Sequence, residues 1–438
     1  MISNPDQCFV WVWLPGETEP VVAGVLARDE KRFVFRYGRS YLARSNAIAL
    51  NKRELPLGVE IINPIEPMIL PSSIRDGSPD AWGRRVIMNR IFGKQGSDGH
   101  YADLDEMTYL LQSGSDRIGG LDFQESATTY VPRVSRAATL EELLEAASLV
   151  ERGVPLSPEL DQALNHGTSI GGARPKALIE SAGAKYVAKF SASNDRVNVV
   201  KGEFVTMRLA ALCGMDVAPV KLAHALGKDI LLIERFDREH TQSGWTRKIM
   251  TSALTLFGLD EMLARYCSYE LLTDIIRADF ANPKRDLREL FSRLVFNILC
   301  SNTDDHGRNH AAFFDGKAYS LTPAYDICPQ ARTGTEASQA MRIIGGNNLS
   351  RLDVCLSARE KFLLSEADAV SIIEHQLQVI GEAWKGVVQE ADLSPVDLRI
   401  LETTQMLHPF AFEGLSGSFE KLSILGRSIK SSFASVGS

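Results

Sequence analysis

The order of predicted elements is the feature that most constrains the fold of this chain. Strand-like alternation occupies much of the first 250 residues, and helical apolar spacing dominates after them. Three early segments, Cys8–Leu14, Val21–Leu26 and Arg32–Tyr37, predict a small antiparallel module. A β-rich half followed by a helix-rich half indicates an α+β fold.

Length and charge limit the remaining possibilities. A chain of 438 residues is too long for one compact core, so we expect two or three domains or lobes. The 48 basic and 55 acidic residues give a net charge of -7, which argues against a protein whose main task is to coat nucleic acid.

The six cysteines contain no CxxC pair, so neither a zinc ribbon nor a disulfide framework is indicated. The chain lacks the pattern of a secretory leader, and no stretch reaches the roughly 18 apolar residues of a membrane span. A cytoplasmic protein without a membrane partner is therefore the expectation.

Further local patterns predict helices and strands along the rest of the chain. Ser78-Pro79-Asp80 precedes a predicted helix over Ala81–Phe92, and Thr139 with Glu142 forms a capping box. The other predicted elements are a hairpin of 175–180 with 185–190, a helix over 199–213, a strand over 228–236, and helices over 267–280, 287–300, 358–362, 366–379 and 380–388. Phe419, Leu422 and Leu425 predict a short helix in a tail rich in Ser and Gly.

A glycine-rich loop, Thr168–Lys176, is the first candidate for chemistry. Gly171 and Gly172 allow the backbone to come close to a phosphate, and the hydroxyl and basic side chains offer donors. The GxxxxGK[ST] spacing of a Walker loop is absent. The alternative is a simple turn, because two glycines before a strand usually form only a turn.

A lysine inside an apolar strand is the second candidate. Lys189 lies in Val187–Phe190, where its ammonium either points to solvent or has an acidic or phosphate partner. Strand alternation leaves both possibilities open. Glu203, in the following helix, is a possible partner.

The third candidate is a polar cluster that follows a core helix. Asp304 can orient or deprotonate a hydroxyl, while Asn309 and Asp326 offer oxygen ligands for Mg²⁺. A helix-capping loop without a catalytic role is one alternative. A zinc site of a metal-dependent hydrolase, built from His306 and His310 with Asp304 or Asp305, is another, although no HExxH glutamate is present.

The order of these parts follows the plan of a protein kinase: a glycine-rich loop, a strand lysine, a helix acid, a strand end, a Dx4N loop and a later Asp. More specifically, the chain resembles the HipA family of serine/threonine kinase toxins from bacterial toxin-antitoxin modules. The segments that carry the resemblance are Ser78–Arg84, Ser169–Lys176, Val187–Phe190, Glu234–Asp237, Asn302–Asn309 and Leu321–Asp326.

The resemblance implies a role for each matching residue. Asp304 would be the catalytic aspartate, and Asn309 and Asp326 the magnesium ligands. Lys189 would hold the ATP phosphates. Ser169 matches the autophosphorylated serine of the family, with Thr168 as an alternative. The other residues expected around ATP are Gly171, Gly172, Ala173, Arg174, Lys176, Glu234, Arg235, Phe236, His306 and Arg308.

The resemblance also implies an organisation and partners. Residues 1–125 would form an N-terminal β-rich HipA-type subdomain, 126–236 a kinase-like N-terminal lobe and 237–438 a helical C-terminal lobe. The expected reaction is transfer of the γ-phosphoryl group of Mg-ATP to a serine or threonine of an aminoacyl-tRNA synthetase. A small HipB-like DNA-binding antitoxin is the expected partner, with DNA contacted only through it. The alternative is an inactive corepressor.

Overall fold

The computed structural model describes residues 5–93, 104–134, 138–164, 168–181, 183–193, 195–332 and 334–433. The chain divides into two compact units. The first contains Met1–Asn194, Ala223–Thr251 and Phe313–Lys317, and the second contains Asp195–Leu222, Ser252–Ala312 and Ala318–Ser438. Helices and strands make up 41% and 20% of the structure, which agrees with the predicted α+β class.

The strands of the described residues are β1 Gln7–Val12, β2 Val21–Asp29, β3 Arg32–Tyr37, β4 Leu121–Gln124, β5 Lys176–Ser181, β6 Ala184–Phe190, β7 Val220–Ala225, β8 Lys228–Glu234, β9 Arg238–Thr241, β10 Gly244–Arg247, β11 Ile249–Ser252, β12 Ala311–Phe314 and β13 Tyr319–Leu321.

The α-helices of the described residues are α1 Arg39–Leu42, α2 Ser72–Arg75, α3 Ala81–Phe92, α4 Glu106–Gln112, α5 Leu140–Glu151, α6 Pro158–Leu164, α7 Val199–Leu212, α8 Ala253–Leu256, α9 Tyr269–Asp279, α10 Pro283–Leu299, α11 Leu352–Ala358, α12 Glu366–Ala391, α13 Pro395–Ile400 and α14 Glu420–Phe433. Short 3-10 turns include Glu261–Tyr266 and Arg359–Phe362.

The N-terminal sheet has the strand order β3-β2-β1-β4, and its pairs are antiparallel. The three predicted strands are confirmed. The fourth strand, Leu121–Gln124, was not predicted. All four of its residues are buried, and the buried Asp122 carboxylate is paired with Arg117 at 2.7 Å.

The second four-stranded sheet has the order β5-β6-β8-β7. The predicted hairpin of β5 and β6 is confirmed, although Ala182 in its turn lies outside the described residues. Ala188, Phe190 and Ile230 pack with Trp82 and the apolar face of α5 in one core. The capping box of α5 is formed by Thr139 and Glu142, as predicted.

Helices build most of the second unit. The prediction of two helices over 366–388 was wrong, because α12 runs unbroken for 26 residues. No proline interrupts it, and a Cβ on Gly381 would lie 3.1 Å from Ile429 of α14, so this glycine permits close packing. The predicted helix near the C-terminus is confirmed as α14, and residues 434–438 lie outside the described part.

All six cysteines are free and buried: Cys8, Cys213, Cys267, Cys300, Cys328 and Cys355. Burial raises the pKa of the Cys8 thiol to about 12 and that of Cys267 to about 11. Among the described residues, no helix is both long enough and apolar enough to cross a bilayer.

Candidate active site

The glycine-rich loop precedes β5 and packs on the start of α3. Thr168 is fully buried, and the Gly114 N–H donates to its Oγ1 at 3.0 Å. Ser169 is 2% exposed, and its Oγ has no hydrogen-bond partner among the described residues. Both hydroxyls therefore face inward in this conformation.

Asp80 and Gly83 of the α3 N-terminus hold this loop in place. The Gly172 N–H donates to Asp80 Oδ2 at 2.7 Å, and the Trp82 N–H donates to the Gly172 carbonyl at 3.3 Å. A Cβ on Gly83 would lie 1.9 Å from the Thr168 carbonyl oxygen, so only glycine allows this approach. Sequence reasoning placed a helix start here but missed its contact with the loop.

The predicted phosphate-binding residues of the loop differ in exposure. Gly172 and Ala173 are exposed, Gly171 and Arg174 are half-buried, and Lys176 is 4% exposed. The Lys176 ammonium donates to the Gly171 carbonyl. Gly172 has φ +103°, a conformation that favours glycine.

Lys189 is the penultimate residue of β6 and lies directly opposite Lys176, the first residue of β5. Side chains that are directly opposite in an antiparallel pair share one face of the sheet. Lys189 is half-buried, whereas its neighbours Ala188 and Phe190 are buried in the core on the other face. The two lysines thus lie on the face where Lys176 contacts the glycine-rich loop. Glu203 is buried in α7 of the other unit.

The strand end Glu234–Phe236 contains an ion-pair network that the sequence did not reveal. Arg235 is 6% exposed, and its guanidinium pairs with Asp237 at 2.8 Å and Asp116 at 3.1 Å. Burial alone would lower the pKa of Arg235, but Asp237 and Asp116 hold it above its ordinary value. The main-chain N–H of Arg235 already has a partner, because it donates to the Lys185 carbonyl at 2.8 Å. Adenine contacts therefore stay a prediction for Glu234 and Phe236.

In the second unit, the loop 302–309 begins where α10 ends. Its main chain is fixed from two sides, because Thr303 O accepts from Ala340 N at 3.0 Å and Gly307 O accepts from Leu254 N at 3.0 Å. Within the loop, the Asn309 N–H donates to the His306 carbonyl at 2.8 Å. The loop is thus a defined support for the polar side chains that it carries.

Asp304 and Asp305 have opposite environments. Asp305 is 1% exposed, accepts a hydrogen bond from the Tyr269 hydroxyl and lies 2.8 Å from His310 Nε2. Burial alone would raise the pKa of Asp305, but His310 and Tyr269 hold it below its ordinary value. Asp305 is therefore occupied by buried partners.

The Asp304 side chain is exposed to solvent. The surrounding protein still removes part of the water around its carboxyl, and this desolvation raises the pKa of Asp304. His306 opposes this rise, whereas the charges of Asp326 and Asp305 add to it. Of the two neighbouring carboxyls, Asp304 is the one that solvent or a substrate hydroxyl can reach.

The remaining predicted ligands lie beside Asp304. Asn309 donates through Nδ2 to the Asp304 carbonyl at 3.4 Å, which leaves its Oδ1 as the acceptor. Asp326 follows β13 with φ +59°, and its carbonyl lies 3.5 Å from Asn302 Nδ2. The buried Asn302 Oδ1 has no partner among the described residues. A carboxylate and an amide oxygen are ligands that fit Mg²⁺, which takes its other ligands from water and phosphate.

Two residues of the loop, His306 and Arg308, and the adjacent His310 have separate environments. Half-buried His306 lies near enough to Asp304 to influence its pKa. Arg308 pairs with Glu261, and its carbonyl accepts from the Tyr325 hydroxyl at 2.7 Å. His310, a ligand in the zinc alternative, is buried against Asp305. The described part of the chain contains no group of three or more His, Cys, Asp or Glu side chains that could hold a metal.

Comparison with known proteins gives two family matches. Residues 12–124 match the HipA N-terminal domain, and residues 168–384 match the HipA-like C-terminal domain. Y4mE of Sinorhizobium fredii, named as a kinase still to be demonstrated, is 29% identical over 35% of this chain and 38% of that relative. The serine/threonine-protein kinase toxin HipA of Shewanella oneidensis is 31% identical over 30% of this chain and 34% of that relative. The chain thus spans little more than a third of the length of these curated relatives.

A solved structure extends the likeness to nearly the whole fold. It is the complex of Shewanella oneidensis HipA with HipB and operator DNA, and the match has a TM-score of 0.63 at 16% identity. It covers 95% of this chain and 97% of that chain. The predicted HipA-like α+β fold is therefore confirmed, and with both family matches in chain order, this protein belongs to the HipA family.

Proposed function

We propose that this chain is a magnesium- and ATP-dependent protein serine/threonine kinase. One observation carries the proposal: a fixed loop presents an exposed carboxyl, Asp304, with Asn309 beside it and Asp326 near enough to influence its pKa. A kinase needs this combination, because the base must reach a hydroxyl while neighbouring oxygens hold the cation. Membership of a family with a kinase toxin among its members supports the same reaction.

Each residue has a stated role in the proposal. Asp304 orients the acceptor hydroxyl and takes its proton. Asn309 and Asp326 hold Mg²⁺, which when bound neutralises charge on the ATP phosphates. Lys189 attracts the same phosphates, and the exposed backbone of Gly172 and Ala173 can approach them closely.

We also propose that Ser169 is the site of regulatory autophosphorylation. Its hydroxyl is buried, so the loop has to open before phosphate can be added. A phosphate would bring nearly two negative charges, which are costly to place in a buried site. The modified loop would therefore stay out of its present position, where the bond between Gly172 and Asp80 now holds it.

The proposed biological role is that of a toxin with a small DNA-binding antitoxin. The support is the solved relative, which is a complex of HipA with HipB and operator DNA. A net charge of -7 fits a chain that reaches DNA only through its partner. An aminoacyl-tRNA synthetase is the proposed acceptor protein, as the family resemblance implies.

The test is incubation of the purified protein with labelled Mg-ATP, followed by mapping of the phosphate by mass spectrometry. We expect label on Ser169 in the wild type and none in Asp304→Asn or Asp326→Asn variants that keep the wild-type circular dichroism spectrum. Asp29→Asn, an exposed change at the end of β2, is the matched control and should label normally. The absence of both label and ATP binding in the wild type would refute the proposal.

A further inference from the structure

An exposed surface of the second unit carries positive charge and apolar area beside the loop 302–309. We propose that Met262, Arg265, Tyr266 and Arg342, here named the acceptor platform, bind an acidic segment of the protein substrate. The inference rests on the proposed kinase function and adds the chemical class of the acceptor sequence.

The acceptor platform is built around one exposed aromatic ring. Met262 and Tyr266 belong to the 3-10 turn Glu261–Tyr266 and are 81% and 45% exposed. The guanidinium carbons of Arg265 and Arg342 lie 5.1 and 5.2 Å from the centre of the Tyr266 ring. Contacts of this length are cation–π interactions, which hold both cations near the ring.

Three acids that are close to the platform in the sequence already have partners. Asp260 accepts from the Met262 N–H at 2.9 Å, Glu261 pairs with Arg308, and Glu270 pairs with the Lys361 ammonium at 2.7 Å. Within the ranges that the structure describes, neither Arg265 nor Arg342 pairs with a carboxylate. The platform therefore presents two positive charges that a carboxylate of a substrate can complement.

Main-chain contacts place the acceptor platform next to the proposed catalytic loop. The Arg342 N–H donates to the Cys267 carbonyl at 3.0 Å, and Ala340 N lies 3.0 Å from the Thr303 carbonyl. A Cβ on Gly307 would lie 3.1 Å from Cys267 Sγ. Since two residues span at most about 7 Å, the Arg342 backbone lies within about 10 Å of Thr303.

An extended peptide covers that separation with about three residues. If the acceptor hydroxyl lies at Asp304, acidic residues about three positions away can reach the platform. A protein segment fits the surface better than a nucleic acid, because Met262 offers a large apolar contact and only two cations are present. Nucleic-acid binding draws its affinity from many phosphate contacts.

The experiment uses the full chain and two serine peptides that differ only in aspartates or asparagines placed three residues from the serine. We expect the wild type to phosphorylate the aspartate peptide with a KM about three- to tenfold lower, because two exposed ion pairs each add a modest amount of affinity. The Arg265→Gln/Arg342→Gln variant should lose this preference. Arg427→Gln, an exposed change in α14, is the matched control and should keep it.

Binding of the same peptides, fluorescently labelled, gives a second measurement that does not depend on catalysis. The aspartate peptide should bind the wild type more tightly than the asparagine peptide, and added salt should reduce the difference. Equal binding of both peptides, or a preference that survives in the double variant, would refute the proposed role of the acceptor platform even if the protein autophosphorylates. Selective binding without any phosphate transfer would instead count against the kinase function. If a single-stranded RNA oligonucleotide bound more tightly than the aspartate peptide, and the double variant lost this binding, the ligand of the acceptor platform would be a nucleic acid and the proposal of an acidic peptide would be refuted.

Discussion

At the scale of single residues, adjacent carboxyls acquire different tasks from their surroundings. Asp305 is buried between Tyr269 and His310, and Asp304 is exposed on the same loop. The buried contacts fix the loop that presents Asp304. Asp305 is thus a positioning residue in the proposed mechanism, and its effect on the reaction would be indirect.

Tyr269→Phe tests this positioning role, because it removes one donor to Asp305 and keeps the ring. We expect a loss of about 1–3 kcal/mol in the free energy of unfolding, since a buried carboxylate loses a hydrogen bond. We also expect a lower kcat with little change in the KM for ATP. Thermal denaturation and steady-state kinetics measure the two effects. Unchanged kcat in a destabilised variant would make the role purely structural.

Sequence patterns indicated the type of chemistry at these residues but not their partners. The order of Lys189, Asp304, Asn309 and Asp326 was visible because those residues interrupt apolar segments. The burial of Arg235 was not visible, since its partner Asp116 lies 119 positions away. Long-range pairing of charges depends on topology, which local composition does not encode.

At the scale of elements, α3 and the glycine-rich loop hold each other at a position without space for a side chain. Gly83→Ala would place a Cβ 1.9 Å from the Thr168 carbonyl. We expect a loss of about 1–3 kcal/mol in stability from overpacking and faster proteolysis within 168–175. Thermal denaturation and limited proteolysis measure these effects.

Gly386→Ala in α12 is the matched control, because apart from its chain neighbours and the nearby backbone of its own helix no atom lies within 4 Å of its added Cβ. It should be neutral or stabilise the protein by up to about 1 kcal/mol, since alanine has the higher helix propensity. If both variants were equally stable, the close approach of α3 to the loop would be unimportant.

Regular elements were predicted well where apolar spacing was uninterrupted. The helix over Ala81–Phe92 and the strand Arg32–Tyr37 match the structure at both ends. Strand β4 was missed because buried ion pairs allow a charged residue, Asp122, inside a core strand. The division of α12 was wrong because the helix continues without a break through 379–380, where Gly381 packs closely against Ile429 of α14.

At the scale of the whole molecule, an ion-pair network in the first unit links distant parts of the chain. Arg238 pairs with Asp116 and Asp237 at 2.9 Å each, and the Gly119 N–H donates to Asp237 at 2.7 Å. Burial alone would raise the pKa of Asp237, but Arg235 and Arg238 lower it to about 2. Protonation of Asp237 in acid would break these ion pairs, so we expect the folded state to lose stability at low pH.

The direction in which stability changes with pH follows from the number of protons that each state binds. Because the folded pKa lies below the ordinary value of 3.8, the unfolded state binds more protons between these two values. We expect Asp237 to contribute about 2 kcal/mol of stability above pH 4 and to lose it as the pH falls towards 2. Denaturant titrations across this range measure the loss.

Asp237→Asn should be less stable at neutral pH, because it leaves Arg235 and Arg238 short of a counter-charge. It should also show a shallower fall in stability between pH 4 and 2. An acid profile identical to that of the wild type would assign the effect to other carboxyls.

The buried thiols can serve as natural probes of where the protein opens. Cys8 lies in the first unit, and the other five cysteines lie in the second. A thiol reagent added to the folded protein can react only with molecules that have opened locally or globally. Peptide mapping after a short exposure would show which unit opens first, with no engineered label. The same measurement with and without ATP would show which unit the nucleotide protects.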